Sequence, residues 1–146
     1  METANKIFIN RKFNCSVSQL FEWLVQPSLI AKWFGPKHLS TGDVQTDLQV
    51  GGDYSIELLK PDRQNFFIKG KYIEINVPNL VVFTLYYEGL PSPPPNSIVK
   101  IKLEELIQNQ SLLTLTQDFE HTPSDMSSRT KAWEHMFQVL TNLVDK

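Results

Sequence analysis

Few residues in this chain have the types and spacing that chemistry requires. The three histidines, His38, His121 and His135, lie far apart, and the single Cys15 has no second Cys or His at ligand spacing. Zinc sites draw on closely spaced ligand pairs, so no metal centre is expected. No Gly-x-Ser-x-Gly is present to lift a nucleophilic serine onto a strained turn. Gly51-Gly52 lies between two strand-like segments with no helix following. It reads as a hairpin turn needing positive φ, not as a phosphate-cradling loop. No cofactor is expected.

Two titratable residues remain as pocket candidates. His38 follows Trp33-Phe34-Gly35-Pro36, where the chain returns toward strand-like sequence. An imidazole at a cavity mouth would titrate near neutrality or donate to a ligand oxygen; the plainer reading is a residue at the start of a strand. Glu74, flanked by Ile73 and Ile75, would point inward together with Tyr72, the alternative being an outward strand position. Glu57 falls on the polar alternation of its strand, and His121 and His135 fall in a turn and on a polar helix side, so these three read as solvated.

The stronger signal is aromatic. Trp33, Phe34, Tyr54, Phe67, Tyr72, Phe83, Tyr87, Phe119, Trp133 and Phe137 are many bulky rings for one small domain. Each can be ordinary core. As a set they could line an apolar cavity, with Tyr hydroxyls and Trp N–H groups as its polar points. Phe66 and Phe67 must face opposite sides of a regular strand, so one of them is exposed, paired or beside a bulge.

The elements that would position these rings are legible from periodicity. Ile7–Phe13 alternates weakly and reads as a first strand. Ser16-Val17-Ser18-Gln19 forms a capping box ahead of Val17, Leu20, Phe21 and Leu24 at helical spacing. Pro27 opens a second short helix, and Gly35-Pro36 stops it. The middle of the chain has period two: Tyr54/Ile56/Leu58, Val99/Ile101/Leu103 and Leu113/Leu115/Phe119 alternate with polar residues. Phe66–Ile75 and Leu80–Tyr87 supply two longer strands. Leu90–Asn96, with four prolines, is a stiff connection, read as a rigid hairpin link or else a lid or docking loop. Thr122-Pro123-Ser124-Asp125 places Thr122 at an N-cap, Pro123 at N1 and an acid at N3. Behind it, Met126, Trp133, Met136, Phe137, Leu140, Leu143 and Val144 share one face of a helix of about six turns, with Arg129, Lys131, Glu134 and Gln138 opposite. One helix covers a wide sheet only if the sheet curves around it. The fold class is therefore α+β: a curved antiparallel sheet of about six or seven strands around a long C-terminal helix, with two short helices after the first strand.

Composition bounds the rest. The 146 residues fit a single domain spanning 1–146, with 41% hydrophobic and 21% charged residues. A net charge of −2 gives no electrostatic reason to expect nucleic acid or an anionic membrane as partner. One cysteine permits no internal disulfide, the N-terminus shows no signal-peptide pattern, and no apolar run approaches the roughly 18 residues of a membrane helix. A cytoplasmic protein, monomer or homodimer, is the expectation.

Several strings add a resemblance: Pro27-Ser28-Leu29-Ile30-Ala31-Lys32-Trp33-Phe34-Gly35-Pro36, Asp47–Tyr54, Gly70–Ile75, Pro78–Thr84, and the helix bearing Trp133 and Leu140. In this order and spacing the chain resembles the START-like (SRPBCC, birch-pollen-allergen-like) superfamily, and within it the single-domain bacterial homologues of the activator of heat-shock-protein-90 ATPase. The resemblance implies a helix-grip fold with a pocket between sheet and C-terminal helix. It departs at Ala132, where the family often has Gly, and at Gln117 and Asp118, where it often has His and Gly; bulkier residues there would narrow a cavity mouth. Members of the superfamily bind lipids, sterols, hormones, polyketides or partner proteins, and some catalyse cyclisations or dehydrations. Three readings follow. The first is a binder of a small hydrophobic or aromatic ligand, the second a chaperone-partner module, the third a cyclase- or dehydratase-type enzyme using His38 or Glu74. No catalytic residue is assigned, and the fold alone does not choose among them.

Overall fold

A computed structural model describes residues 5–35, 39–61 and 65–145. Ten elements follow one another: β1 (Lys6–Phe13), α1 (Val17–Val25), α2 (Pro27–Trp33), β2 (Ser40–Thr46), β3 (Asp53–Leu59), β4 (Phe66–Asn76), β5 (Leu80–Glu88), β6 (Ser97–Ile107), β7 (Gln110–Phe119) and α3 (Met126–Val144). The strands form one antiparallel, curved sheet in the order β1-β7-β6-β5-β4-β3-β2. Strands β1 and β2 are its opposite edges, and α1 and α2 connect one edge to the other. The helix-grip α+β architecture expected from the pattern is the one observed.

Alternation explains the strands. In β6 and β7, Val99, Ile101, Leu103, Leu113 and Leu115 are buried while Lys100, Lys102 and Glu104 face water. The inner face meets the stripe Trp133, Met136, Phe137, Leu140 and Val144 of α3, so helix and sheet form one continuous core. The Ser16 hydroxyl accepts the Gln19 N–H at 3.1 Å and starts α1, as a capping-box serine should.

Three local expectations are corrected. Helix α3 runs for 19 residues, just over five turns, and begins at Met126 with Asp125 as its N-cap, not at Thr122. The backbone at Asp125, with φ −124° and ψ 47°, is not helical, and its carboxylate accepts from the Arg129 guanidinium at 3.0 and 3.2 Å while capping no backbone N–H. Arg129 itself, expected on the polar face, is folded back toward the sheet and donates to the Tyr87 hydroxyl at 2.8 Å. Strand β2 has no counterpart in the periodicity because Ser40–Thr46 is an edge strand with no fully buried position.

Strand β4 carries two irregularities. Its pairing with β5 shifts between Tyr72 and Glu74, a bulge that turns both Ile73 and Glu74 outward before Ile75 returns to the core. Just before it, the side chains of Thr84 and Tyr54 take the place of ladder bonds. Lys71 N–H donates to the Thr84 hydroxyl at 2.9 Å, and the Tyr54 hydroxyl donates to the Thr84 carbonyl at 2.8 Å. Gly70 makes this possible, since a Cβ there would lie 1.8 Å from the Thr84 carbonyl oxygen and 2.7 Å from the Tyr54 ring.

Gly70→Ala is therefore expected to cost about 3 kcal/mol or more in urea unfolding, because the clash is with backbone and a buried ring. Gly51 sits at φ +86° with nothing within 4 Å of a Cβ, so Gly51→Ala should cost only about 1–2 kcal/mol from the left-handed backbone.

Candidate functional site

The rings pack into two groups along the seam between sheet and helix. Trp33, at the end of α2, and Trp133 and Phe137, on α3, form one group with Phe34. Phe34 meets Trp133 edge-on at 6.1 Å and 89°, and Trp133 lies 5.6 Å from Phe137. Tyr54, Tyr72 and Phe83, from β3, β4 and β5, form the other, with Tyr54 5.6 Å from Tyr72 and 5.3 Å from Phe83. Such edge and tilted contacts are the favoured geometries of aromatic quadrupoles.

Two voids remain along this seam. One, of about 40 Å³, is lined by Trp33, Phe34, Tyr54, Tyr72, Phe83 and Trp133, with aliphatic side chains such as Leu24, Ile30 and Ile101. The other, of about 50 Å³, is lined by Phe34, Tyr87, Gln117, Arg129, Ala132 and Met136 among others. Phe34, Trp133, Ile68 and Leu85 border both, so the voids are neighbours separated by a thin wall of rings and aliphatic groups. A water needs roughly 10–15 Å³ and an apolar void of about 150 Å³ holds benzene, so each void is room for one or a few waters. The open, ligand-sized cavity anticipated from the ring count is thus nearly filled, because rings from both halves of the sheet interdigitate with α3.

The structure sorts the anticipated site residues. Trp33, Phe34, Tyr54, Tyr72, Phe83, Tyr87 and Trp133 border a void. Phe119 and Phe137 are buried in the surrounding core and border neither. Glu74 is exposed on the outer face, a correction whose cause is the bulge that breaks the alternation after Tyr72. Phe67 also points outward, opposite Glu57 and Glu88 and with the Lys69 ammonium 5.2 Å from its ring centre, while Phe66 is the inward member and stacks on Tyr87. His38 lies outside the described residues. His121 and His135 are exposed.

Polar handles in this seam are mostly committed to the fold. The Trp33 indole N–H donates to the Trp23 carbonyl at 2.8 Å. Trp133 N–H donates to Gln117 Oε1 at 2.8 Å, Gln117 Nε2 donates to the Ser97 hydroxyl at 2.8 Å, and Ser97 donates on to the Leu85 carbonyl at 3.4 Å. This buried chain joins α3 to β7, β6 and β5. Gln117 and Ala132 both border the second void, and Gln117 is the hinge of that chain. Arg129 was not anticipated at the site; an arginine one turn into an amphipathic helix reads as surface unless its partner across the seam, Tyr87, is known.

Burial shifts the tyrosines. Desolvation raises Tyr54 well above its ordinary value, and desolvation with the nearby Asp47 carboxylate pushes Tyr72 up to about 12. Tyr87 is also raised by burial, against the opposing pull of the Arg129 charge and hydrogen bond.

Residues 14–145 match the family described as "Activator of Hsp90 ATPase homolog 1-like protein". The chain belongs to that family. Solved structures share its fold. A protein of Nitrosomonas europaea matches with TM-score 0.83 and 20% identity, over 99% of this chain and 97% of its own. One from Chromobacterium violaceum gives TM-score 0.84 and 22% identity, over 97% and 98%. A third, from Silicibacter pomeroyi and bearing the family's name, gives TM-score 0.79 and 21% identity, over 96% and 97%. No curated protein matches the sequence. No helix among the described residues is long and apolar enough to cross a membrane.

Two outcomes follow from the geometry. Gln117→Leu strands the Trp133 indole N–H in the core, and an unpaired buried donor costs about 1–3 kcal/mol. Urea unfolding should show that loss, and the Trp133 indole N–H resonance should move upfield. The raised tyrosines favour the neutral phenol in the folded state. Their contribution is intact below the ordinary tyrosine value near 10 and is lost as pH rises toward about 12. Circular dichroism should show an alkaline transition in that window, shallower in Tyr72→Phe.

Proposed function

We propose that this chain binds a small, largely apolar molecule in the seam beneath α3, with Phe34 as the ring that yields to it. The observation that supports this is the pair of adjoining voids on either side of Phe34, one walled by apolar and aromatic groups and the other carrying Arg129, Tyr87 and Gln117. Ligand sites combine these features: an apolar body with a few convergent polar groups. As they stand the voids are too small for a ring, so a guest near a single ring or a short chain enters only as the Phe34 side chain swings aside and the two spaces join.

Phe34 suits the role of a displaceable wall. It follows α2 as the C-cap, its carbonyl accepts the Thr41 hydroxyl, and its N–H donates to the Ile30 carbonyl at 2.9 Å. The backbone is thus held while the ring stands between the voids. Binding is favoured over catalysis because the described residues bordering both voids include no carboxylate and no histidine to exchange a proton.

The family's description supports a second reading, contact with a chaperone ATPase. Its test is direct: the cognate chaperone's ATPase rate with and without this protein, where no change at tens of micromolar ends that reading.

For the ligand reading, native mass spectrometry of protein purified from its own cells should reveal a bound small molecule, and small aromatic guests should raise the melting temperature. Phe34→Ala should cost about 3–5 kcal/mol and join the two voids. Benzene or indole should then bind and recover several degrees of melting temperature. No shift with any guest in either protein would overturn the proposal.

A further inference from the structure

The second void has a feature that its apolar neighbour lacks: its polar wall carries donor protons that the fold leaves unused. Tyr87 accepts from Arg129 at 2.8 Å, and among the described residues its own O–H proton goes to no acceptor. Gln117 has two amide protons, of which Ser97 takes one, while its Oε1 accepts from the Trp133 indole. Arg129 has five N–H protons; two go to the Asp125 carboxylate and one to Tyr87. Three side chains from β5, β7 and α3, each with donor protons left over, thus border one small space lined otherwise by groups such as Phe34, Trp133 and Met136.

The charge at this end is balanced. Asp125 meets Arg129 through two hydrogen bonds at 3.0 and 3.2 Å, so the guanidinium brings hydrogen bonds but little unmatched positive charge. A carboxylate guest would approach a site that already holds a carboxylate, at a cost in like-charge repulsion. A neutral carbonyl oxygen meets no such penalty and accepts without offering a proton of its own.

We infer that the guest is a small neutral carbonyl compound, its apolar body in the void beside Tyr54 and Tyr72 and its oxygen held by Tyr87 with Arg129 and Gln117. This deepens the ligand reading and rests on it. The site would choose by the mismatch rule: a guest that fills the space without an acceptor leaves buried donors unpaired. Burial, which raises Tyr87, keeps its phenol protonated and able to donate across the physiological range.

Acetophenone and ethylbenzene test the inference, being nearly the same shape with and without the oxygen, and benzoate adds the charged arm. In titrations of the wild-type protein followed by NMR, acetophenone should bind at least about five-fold more tightly than ethylbenzene, the worth of one neutral hydrogen bond. Benzoate should bind more weakly than acetophenone. Tyr87→Phe keeps the ring stacked on Phe66 and should erase most of the acetophenone advantage while leaving ethylbenzene unchanged. Equal binding of ketone and hydrocarbon, or tighter binding of benzoate, overturns the inference and leaves the ligand reading standing. Binding of none of the three removes both. Should Tyr87→Phe fail to fold, the comparison of the three guests on the wild-type protein still decides.

Discussion

One buried amide sits at the centre of the contacts that hold α3 on the sheet. Gln117 accepts from the Trp133 indole and donates to Ser97, so a polar chain crosses the middle of an otherwise apolar seam. Each of these groups is nearly sealed from water, with Ser97 and Gln117 both 4% exposed. In that setting the free energy of a satisfied chain is modest, but a broken one strands donors at full desolvation cost. Apolar packing alone would let a helix slide along a greasy trough. The amide fixes where Trp133 sits, and Trp133 in turn sets the edge-on contact with Phe34 and the tilted contact with Phe137.

The void geometry follows from that anchoring. Rings are rigid plates, and plates held at 89° and 34° to one another do not tile space completely. Flexible side chains would close such gaps, but of the flexible residues near this seam Met136 is already engaged, accepting the Gly35 N–H at 3.1 Å. The residual spaces persist because the surrounding groups are held by hydrogen bonds: Trp33 to Trp23, Tyr54 to Thr84, Trp133 to Gln117. A core close to organic-crystal density with two adjoining gaps is what an anchored aromatic seam produces.

Much of this was legible in the sequence, and the exceptions have physical causes. Two-residue alternation marked β3, β6 and β7 because one face of each is wet. The stripe from Trp133 to Val144 marked α3 because a single helix must bury one side. Strand β2 was silent since an edge strand with polar sequence buries too little to leave a period. Glu74 misled because alternation carries no notice of a bulge, and one extra residue reverses every face beyond it. Phe67 shows the converse: an aromatic on the outer face, covered by Lys69 and beside Glu88, looks like core by composition alone. Rings were readable as a set, but which of them border empty space depends on interplanar angles that no pattern encodes. Arg129 was hidden for a related reason. Its helical position is polar, and only the arrival of Tyr87 from a distant strand turns it inward.

The two ends of the seam differ in how firmly the chain holds them. At the α2 end, backbone and side-chain bonds close around Phe34 and Gly35. At the other end, α3 starts without a side-chain cap on its first N–H groups. The Asp125 carboxylate, which would ordinarily serve as that cap, is drawn to Arg129 instead. The first turn of α3 thus gives up capping energy, about 1 kcal/mol by the usual scale, in exchange for a guanidinium fixed against Tyr87. The exchange keeps Arg129 neutralised where it is partly withdrawn from water.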